Sequence, residues 1–452
     1  MSDKPSMETF VSLCKRRGFV FAGSEIYGGI GGFWDYGPLG IELRNNIKRA
    51  WWKAMVQDRD DIVGLDAAVI MNPSVWKASG HVDTFSDPLV ECKNCHHRFR
   101  EDQLVGDACP NCGEQGTMTE PRQFNMLLRT FVGPVEDDAA VAYLRPETAQ
   151  GIFVNFQNVQ QSMRKKIPFG IAQIGRAFRN EIITGNFIFR DREFEQMEME
   201  FFVKPGTEDE WHDRWRDWRL EWWKQTFRIA PERIRIKVIR PQQTTIIGPD
   251  PDDVKQEKPP HYSKGNYDVE YKFPMGWSEV EGIASRTDYD LSAHQQLSGK
   301  DLTYFEEETK EKYIPYVVEP AMGVERATLV ALFESYNEEK VRNEKRVVLK
   351  FPYGLAPYKA AVLPLLRNRP ELVETARRLA QDLKQSMMAV YDDTGSIGRL
   401  YRRQDEIGTP FCVTVDVQSL EDQQVTIRDR DSMEQVRVSI TSVKGWLLDR
   451  LN

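Results

Sequence analysis

The stretch from Gly170 to Val203, GIAQIGRAFRNEIITGNFIFRDREFEQMEMEFFV, constrains this chain most. It opens on apolar and small residues that end in Phe178-Arg179-Asn180-Glu181. A loop with Gly185, Asn186, Arg190 and Arg192 follows, and the return is an alternation. Phe194, Gln196, Glu198 and Glu200 point one way, and Glu195, Met197, Met199 and Phe201 the other. A period of two predicts two strands joined by a long loop. Arg179 and a row of carboxylates then stand on rigid strands, which suits a substrate that is both a phosphate and an amine. Charge on strands more often marks a salt-bridged solvent face, and the hairpin alone leaves that alternative open.

The FRNE and FRDREFEQMEMEFF segments resemble motif 2 of the class II aminoacyl-tRNA synthetases: an arginine closely followed by a glutamate, a loop, then a strand with an aromatic. They are most similar to the homodimeric glycyl-tRNA synthetases. The resemblance implies an α+β fold: an antiparallel sheet flanked by helices, a small zinc knuckle and a C-terminal α/β anticodon-binding domain. Residues 1–344 would be the catalytic domain, with 91–120 as the knuckle insertion, and 345–452 the anticodon-binding domain.

The rest of the chain bears on that expectation. No apolar run approaches the roughly 20 residues of a membrane span, and the N-terminal MSDKPSMETF lacks a secretion signal. Together these point to a cytoplasmic protein with no membrane partner. The net charge of −8 argues weakly against nucleic acid, but residues 345–452 lean basic on an acidic body, which permits a local RNA contact. GxGxxG and GxxxxGK[ST] are both missing, so Rossmann and phosphate-loop readings fail.

Met7 to Phe21 reads as a first helix, with Cys14 a small core residue. Pro38 opens a second, with Leu43, Ile47, Trp51 and Met55 on one face. A strand is expected from Gly64 to Met71. Helix, strand and closing Pro73 resemble motif 1, which implies a homodimer; a plain helix–strand packing unit would read the same. Cys92, Cys95, Cys109 and Cys112 form two CxxC pairs, the spacing of a tetrahedral four-thiolate zinc site. A closed shell predicts a structural zinc and leaves His96 and His97 spare.

Glu147 follows Pro146 and precedes an apolar helical stretch, the usual setting of a cap. Trp211, Trp215, Trp218 and Trp222 form a helical packing stripe. The segment from Ile247 to Ser263 reads as a mobile, acidic, proline-rich loop, and NYDVEYKFP as a strand. Tyr313 to Tyr336 gives a strand, a glycine turn and an apolar helix, and its Gly323-Val324-Glu325-Arg326 is similar to motif 3. Beyond Lys345, strands flank a helix over Leu372 to Met388. Cys412 reads as core. Arg399, Arg402 and Arg403 form a basic face that would either contact phosphates or stay solvated.

The resemblance assigns roles residue by residue. Catalysis falls to Arg179, Glu181 and Arg326. ATP would meet Arg179, Asn180, Glu181, Phe189, Arg190, Phe194, Glu279, Val280, Gly323 and Arg326, with magnesium on Glu279. Glycine would meet Arg100, Glu147, Phe194, Glu195, Gln196, Glu198, Arg286, Glu319 and Gly323, Arg286 taking its carboxylate. The implied partners are ATP, glycine and tRNA(Gly). Two positions depart from the family pattern: Ala321 stands where a serine is usual and Glu281 where a tryptophan is. Glycine offers no side chain to grip, so selection would work by filling the space a larger amino acid needs, and no editing domain is expected.

Overall fold

The computed structural model describes residues 6–341 and 343–451. The hairpin at 170–203 forms, and an eight-stranded sheet is built on it. In chain order its strands are β1 (Ile62–Gly64), β2 (Phe169–Phe178), β3 (Glu193–Val203), β4 (Ile234–Ile239), β5 (Thr244–Ile247), β6 (Gly265–Phe273), β7 (Gly276–Thr287) and β8 (Tyr316–Gly323). Across the sheet they run β5-β4-β6-β7-β8-β3-β2-β1. Neighbours are antiparallel except β1, which lies parallel to β2.

Alternation along β3 sorts its side chains as the period requires. Met197, Met199 and Phe201 enter the main apolar core, together with Leu43, Ile47 and Trp51 of the helix Pro38–Trp52 and Leu329 and Phe333 of the helix Val324–Ser335. The opposite face of β3 carries Gln196, Glu198 and Glu200, all buried. Packing on one side and buried carboxylates on the other make this sheet a wall of a polar site.

Several elements differ from expectation. The first helix is Met7–Arg17, ended by Gly18 at φ 74°, and Phe21 lies in a strand, Val20–Ala22, beyond it. The strand expected over Gly64–Met71 is displaced: Ile62–Gly64 pairs with β2, and only Leu65 N, donating to Ala172 O, extends that pairing. Beyond it Ala67 N donates to Gln173 Oε1 at 3.3 Å, Ala67 O accepts from Arg145 Nη1 at 2.7 Å, and Ile70 forms an isolated bridge with Leu144. On the helix Glu208–Phe227 the buried line is Glu208, His212, Trp215, Arg219, Trp223 and Phe227, whereas Trp218 is 42% exposed. Tryptophans alone mislead because the stripe contains a charge. Arg219 Nε donates to Glu281 of β7 at 2.6 Å, and Trp223 Nε1 donates to the other oxygen. Glu281 thus faces the helix and not the site.

The loop after β5 is tied to the sheet edge. Arg235 donates to Asp250 O and Asp253 O, and the Gln256 amide pairs with Thr244. A hairpin, Tyr336–Val341 with Glu344–Leu349, leads to a second, five-stranded sheet of Ala360–Pro364, Ala389–Tyr391, Phe411–Val415, Gln424–Asp429 and Gln435–Ser439. The helix Pro370–Lys384 packs its Leu372, Ala376, Leu379 and Leu383 into that sheet's own core; it stops four residues short of Met388. Cys14 and Cys412 are buried as expected. Among the described residues, no helix is long and apolar enough to cross a membrane.

Candidate active site

A cavity of about 500 Å³ opens on the polar face of the large sheet. Strands β3, β7 and β8 supply its floor, with Phe194, Gln196 and Glu198 from the first, Glu279, Val280, Gly282 and Ala284 from the second, and Glu319, Ala321 and Gly323 from the third. Register sets the spacing: Glu198 lies opposite Ala321, and Ala284 opposite Glu319. The side chain beside Glu198 is therefore a methyl group and not a hydroxyl.

One end of the cavity is anionic. Glu147 reaches it from the residue before Thr148 and the short helix Ala149–Phe153, accepting from Gln150 Nε2 at 2.9 Å and lying 3.5 Å from His81 Nε2. Its partners are side chains, so it is not a helix cap. Thr148 donates its hydroxyl to Glu198, and its N–H to Gln196 Oε1 at 3.2 Å. Burial opposes the charge on Glu147, but His81 and Arg286 hold its carboxyl well below the usual range. Glu198 goes the other way: burial, then the charges of Glu319 and Glu147, push it up to about 8. Glu319 is raised by burial in spite of Arg286. Neighbouring carboxyls thus differ widely in their hold on a proton, a pattern that clusters at functional sites.

The rest of the wall carries four arginines among acids such as Glu181, Asp191 and Glu279. Arg179 Nε donates to Pro146 O at 3.0 Å, and its guanidinium stands 5.3 Å from the Phe194 ring centroid. Arg326, at the start of the helix Val324–Ser335, donates to Glu279 O at 2.9 Å and lies over Phe189 at 4.5 Å. Arg190 reaches Glu181 at 3.6 Å. Arg100 comes from the strand Arg98–Arg100 and pairs with Asp87 at 2.8 Å while lining the cavity.

Three residues named from the sequence sit elsewhere. Glu195 lies on the core-facing side of β3, where its carboxylate takes Arg44 at 2.9 Å and Lys48 at 3.1 Å. Arg286 is buried among acids: its Nε and Nη2 clamp Asp290 at 2.7 and 2.8 Å, and Nη1 holds Glu319 at 2.5 Å. With three of its five N–H donors on these acids and Tyr262 stacked 4.1 Å away, it lies behind the cavity wall as their counter-charge. Asn180 is not part of the cavity wall; its N–H donates to Met126 O. Conversely, the cavity or its supports include Thr148, Tyr262, Asp268, Asp290 and His81, which the sequence reading missed. Tyr262 sits in the proline-rich loop and His81 opens a helix of only four residues, too short to leave a periodic signal that would point at it.

The cysteines converge apart from the cavity. Sγ of Cys92 lies 3.7 Å from that of Cys112, and Sγ of Cys95 3.6 Å from that of Cys109; all four fall within 4.8 Å. A tetrahedron with bonds of about 2.3 Å separates sulfurs by about 3.8 Å, so the four thiols fit zinc. Each pair is carried on a tight turn. His96 N donates to Cys92 O and Gly113 N to Cys109 O, both at 2.8 Å, and His96 and Gly113 take φ of 58° and 79°. The Thr117 hydroxyl, 3.2 Å from Cys92, lowers that thiol to about 6.

Residues 134–336 match the tRNA synthetase class II core domain (G, H, P, S and T), and 359–450 match the anticodon binding domain. Over nearly its whole length the chain is 54% identical to the glycine–tRNA ligase of Thermobifida fusca, covering 99% of this chain and 98% of that protein. It is 53% identical to that of Streptomyces coelicolor, with 98% of each covered, and 50% identical to that of Caldanaerobacter subterraneus, with 100% of each covered. The chain belongs to the glycine–tRNA ligase family. The match to the class II core takes in the cavity wall from Glu147 to Arg326, while Arg100 and the cysteines precede it. The anticodon-binding match coincides with the second sheet, and the hairpin 336–349 lies between the two.

Proposed function

We propose that the chain activates glycine with ATP and passes the glycyl group to tRNA(Gly). The glycine carboxylate attacks the α-phosphate of ATP, glycyl-adenylate forms and pyrophosphate leaves. The terminal ribose hydroxyl of the tRNA then takes the glycyl group and releases AMP. The observation that carries this reading is the meeting of buried carboxylates and arginines in one cavity. Glu147, Glu198 and Glu319 reach it from three separate segments, and Arg179, Arg190 and Arg326 line the same cavity, Arg190 beside Glu181 and Arg326 beside Glu279.

In this reading the carboxylates hold the ammonium, with the Gln196 amide beside them. Arg179, bonded to the carbonyl of Pro146 beside Glu147 and set over Phe194, neutralises the α-phosphate as the carboxylate approaches. Arg190 and Arg326 take the outer phosphates, and Phe194 stacks on adenine. Glu181, Phe189, Val280 and Gly323 complete the nucleotide wall, and Arg100 closes the glycine side. Most of the rate enhancement then comes from holding two anions in line and neutralising charge. Glu279 offers a hard oxygen suited to magnesium, which supplies charge neutralisation when it arrives with ATP. Zinc on Cys92, Cys95, Cys109 and Cys112 ties the knuckle into one fold beside Arg100.

The C-terminal domain reads the anticodon. A glycine-rich loop exposes Ile26 at 89%, Tyr27 at 86% and Ile30 at 67%, an apolar patch in keeping with cover by a second copy in a homodimer. Charging of tRNA puts the protein in the cytoplasm. The test is glycine-dependent ATP–pyrophosphate exchange. Arg179→Ala is expected to lower it by about 10²–10³-fold, the scale of losing one preorganised donor to developing charge. Activity within tenfold of wild type would remove Arg179 from the phosphate.

A further inference from the structure

Behind the three pocket carboxylates lies a fourth that does not line the cavity. Glu200 stands two residues beyond Glu198 on the same face of β3 and is wholly buried. Neither of its oxygens has a hydrogen-bond partner among the described residues. Its neighbour on β2 is Ile171, part of an apolar cluster with Phe153 and Leu291. Carboxylate oxygens of Glu198, Glu200 and Glu319 nevertheless lie within 4.8 Å of one another.

The groups around Glu200 do not balance its charge. On β3 there is Glu198, and on β8 Glu319. Arg286 of β7 is the guanidinium at hand, and it is already shared between Asp290 and Glu319. The helix Tyr289–Ser298 adds Asp290, itself bonded to Gln150, and His294, which meets Gln150 Oε1 at 2.8 Å and is held neutral by burial. Glu147 and His81 pair at the cavity edge, and β2 contributes Ile171 and Gln173, which do not titrate. Five buried carboxyls, Glu147, Glu198, Glu200, Glu319 and Asp290, therefore share the guanidinium of Arg286 and the imidazole of His81, with Arg145, which acts on Glu198 but is spent on the carbonyls of Ala67 and Arg176, as the other buried cation nearby. They cannot all ionise. Each of the others has a donor: Thr148 for Glu198, Arg286 for Glu319 and Asp290, Gln150 for Glu147. Glu200 has none.

We propose that Glu200 keeps a proton in the unliganded pocket and that the carboxylate cluster gives this proton up when the substrate ammonium arrives, so that glycine uptake releases a proton. The inference rests on the reading of the cluster as the amine pocket. One O–H bond breaks, the proton goes to solvent, and the ammonium takes over its charge; nothing is oxidised or reduced. Burial, followed by the charge of Glu319, raises the Glu200 carboxyl well above its ordinary range, with Arg286 pulling the other way. Glu200 acts through Glu198 and Glu319 and is a positioning residue.

Glu200→Gln imitates the protonated acid permanently. In ATP–pyrophosphate exchange the wild-type KM for glycine is expected to fall by up to about tenfold per unit as pH rises from roughly 6 to 8.5, the slope of a one-proton linkage. The variant should match wild type near pH 6 and bind glycine about tenfold or more weakly near pH 8.5, with the KM for ATP unchanged at both. Stability supplies a second readout. A carboxyl protonated in the fold but ionised in the open chain destabilises the protein as pH rises above about 4.3 and through its folded value. Glu200→Gln should therefore melt above wild type at neutral pH when glycine is absent. Parallel KM profiles in the two proteins would overturn the proposal. Should the variant not fold, calorimetric titration of wild type with glycine, run in phosphate and in Tris, decides: near one proton released supports it, none overturns it. Loss of glycine-dependent exchange in wild type at every pH would instead overturn the functional reading beneath it.

Discussion

Two buried clusters of charge in this molecule are built to opposite standards. In the C-terminal unit, Arg346 donates Nε to Asp405 at 2.8 Å, Nη1 to Glu339 and Nη2 to Arg430 O at 2.5 Å. Arg428 takes the other oxygen of Asp405 at 2.9 Å, and Arg430 donates to Gly408 O and Phe351 O. Among the described residues, no buried side-chain nitrogen or oxygen of Arg346, Asp405, Arg428 or Arg430 lacks a partner. At and behind the cavity wall, by contrast, Glu147, Glu198, Glu200, Glu319 and Asp290 crowd around Arg286, and both Glu200 oxygens are orphaned. A satisfied network holds elements together. An unsatisfied one of a single sign is kept, at a cost in stability, for a ligand of the other sign.

Removing members should therefore separate the two clusters. The largest effect is expected at Glu147→Gln. Loss of one partner from a desolvated charge pair costs about 3–5 kcal/mol, so kcat/KM for glycine should drop by at least about a hundredfold while KM for ATP and the melting temperature barely move. Early melting with normal glycine kinetics would make Glu147 a structural group like Asp405. The converse substitution, Asp405→Asn, leaves Arg346 and Arg428 without a buried counter-ion. Melting of that unit should fall by roughly 10 °C or more, a loss of about 3 kcal/mol or more at about 4 °C or more each in a unit of about a hundred residues, with glycine KM unchanged. A shift in glycine KM without a change in melting would erase the contrast.

The two clusters were also unequally legible in the sequence. The period of two along β3 put Glu198 and Glu200 on one face, and the apolar spacing of Pro38–Trp52 and Val324–Ser335 placed both helices, because burial of one face leaves a repeat that a reader can count. The same logic is silent wherever a charge is buried in an apolar stripe: nothing local marks Arg219, Glu281 or Arg346 as buried or points to a partner about sixty residues away. Alternation did assign Glu195 to the far side of β3, yet family resemblance had put it at the substrate, and the strand geometry decides for the alternation. Arg286 was found, but its bonds to Asp290 and Glu319 were not, since a guanidinium paired with two acids looks the same in sequence as one awaiting a carboxylate. Tyr262 and His81 lie in a loop and a four-residue helix, where position depends on tertiary contacts alone.

Recognition of the amine by an under-neutralised carboxylate cluster is the centre of this account. It is tested most directly by offering glycolate, which keeps the carboxylate and size of glycine but replaces the ammonium with a hydroxyl. In ATP–pyrophosphate exchange glycolate should support no turnover, and it should not compete with glycine until it is present in about a hundredfold excess or more, because it cannot supply the missing positive charge. Inhibition by glycolate at concentrations near the glycine KM would show that the pocket does not read the ammonium and would contradict the account.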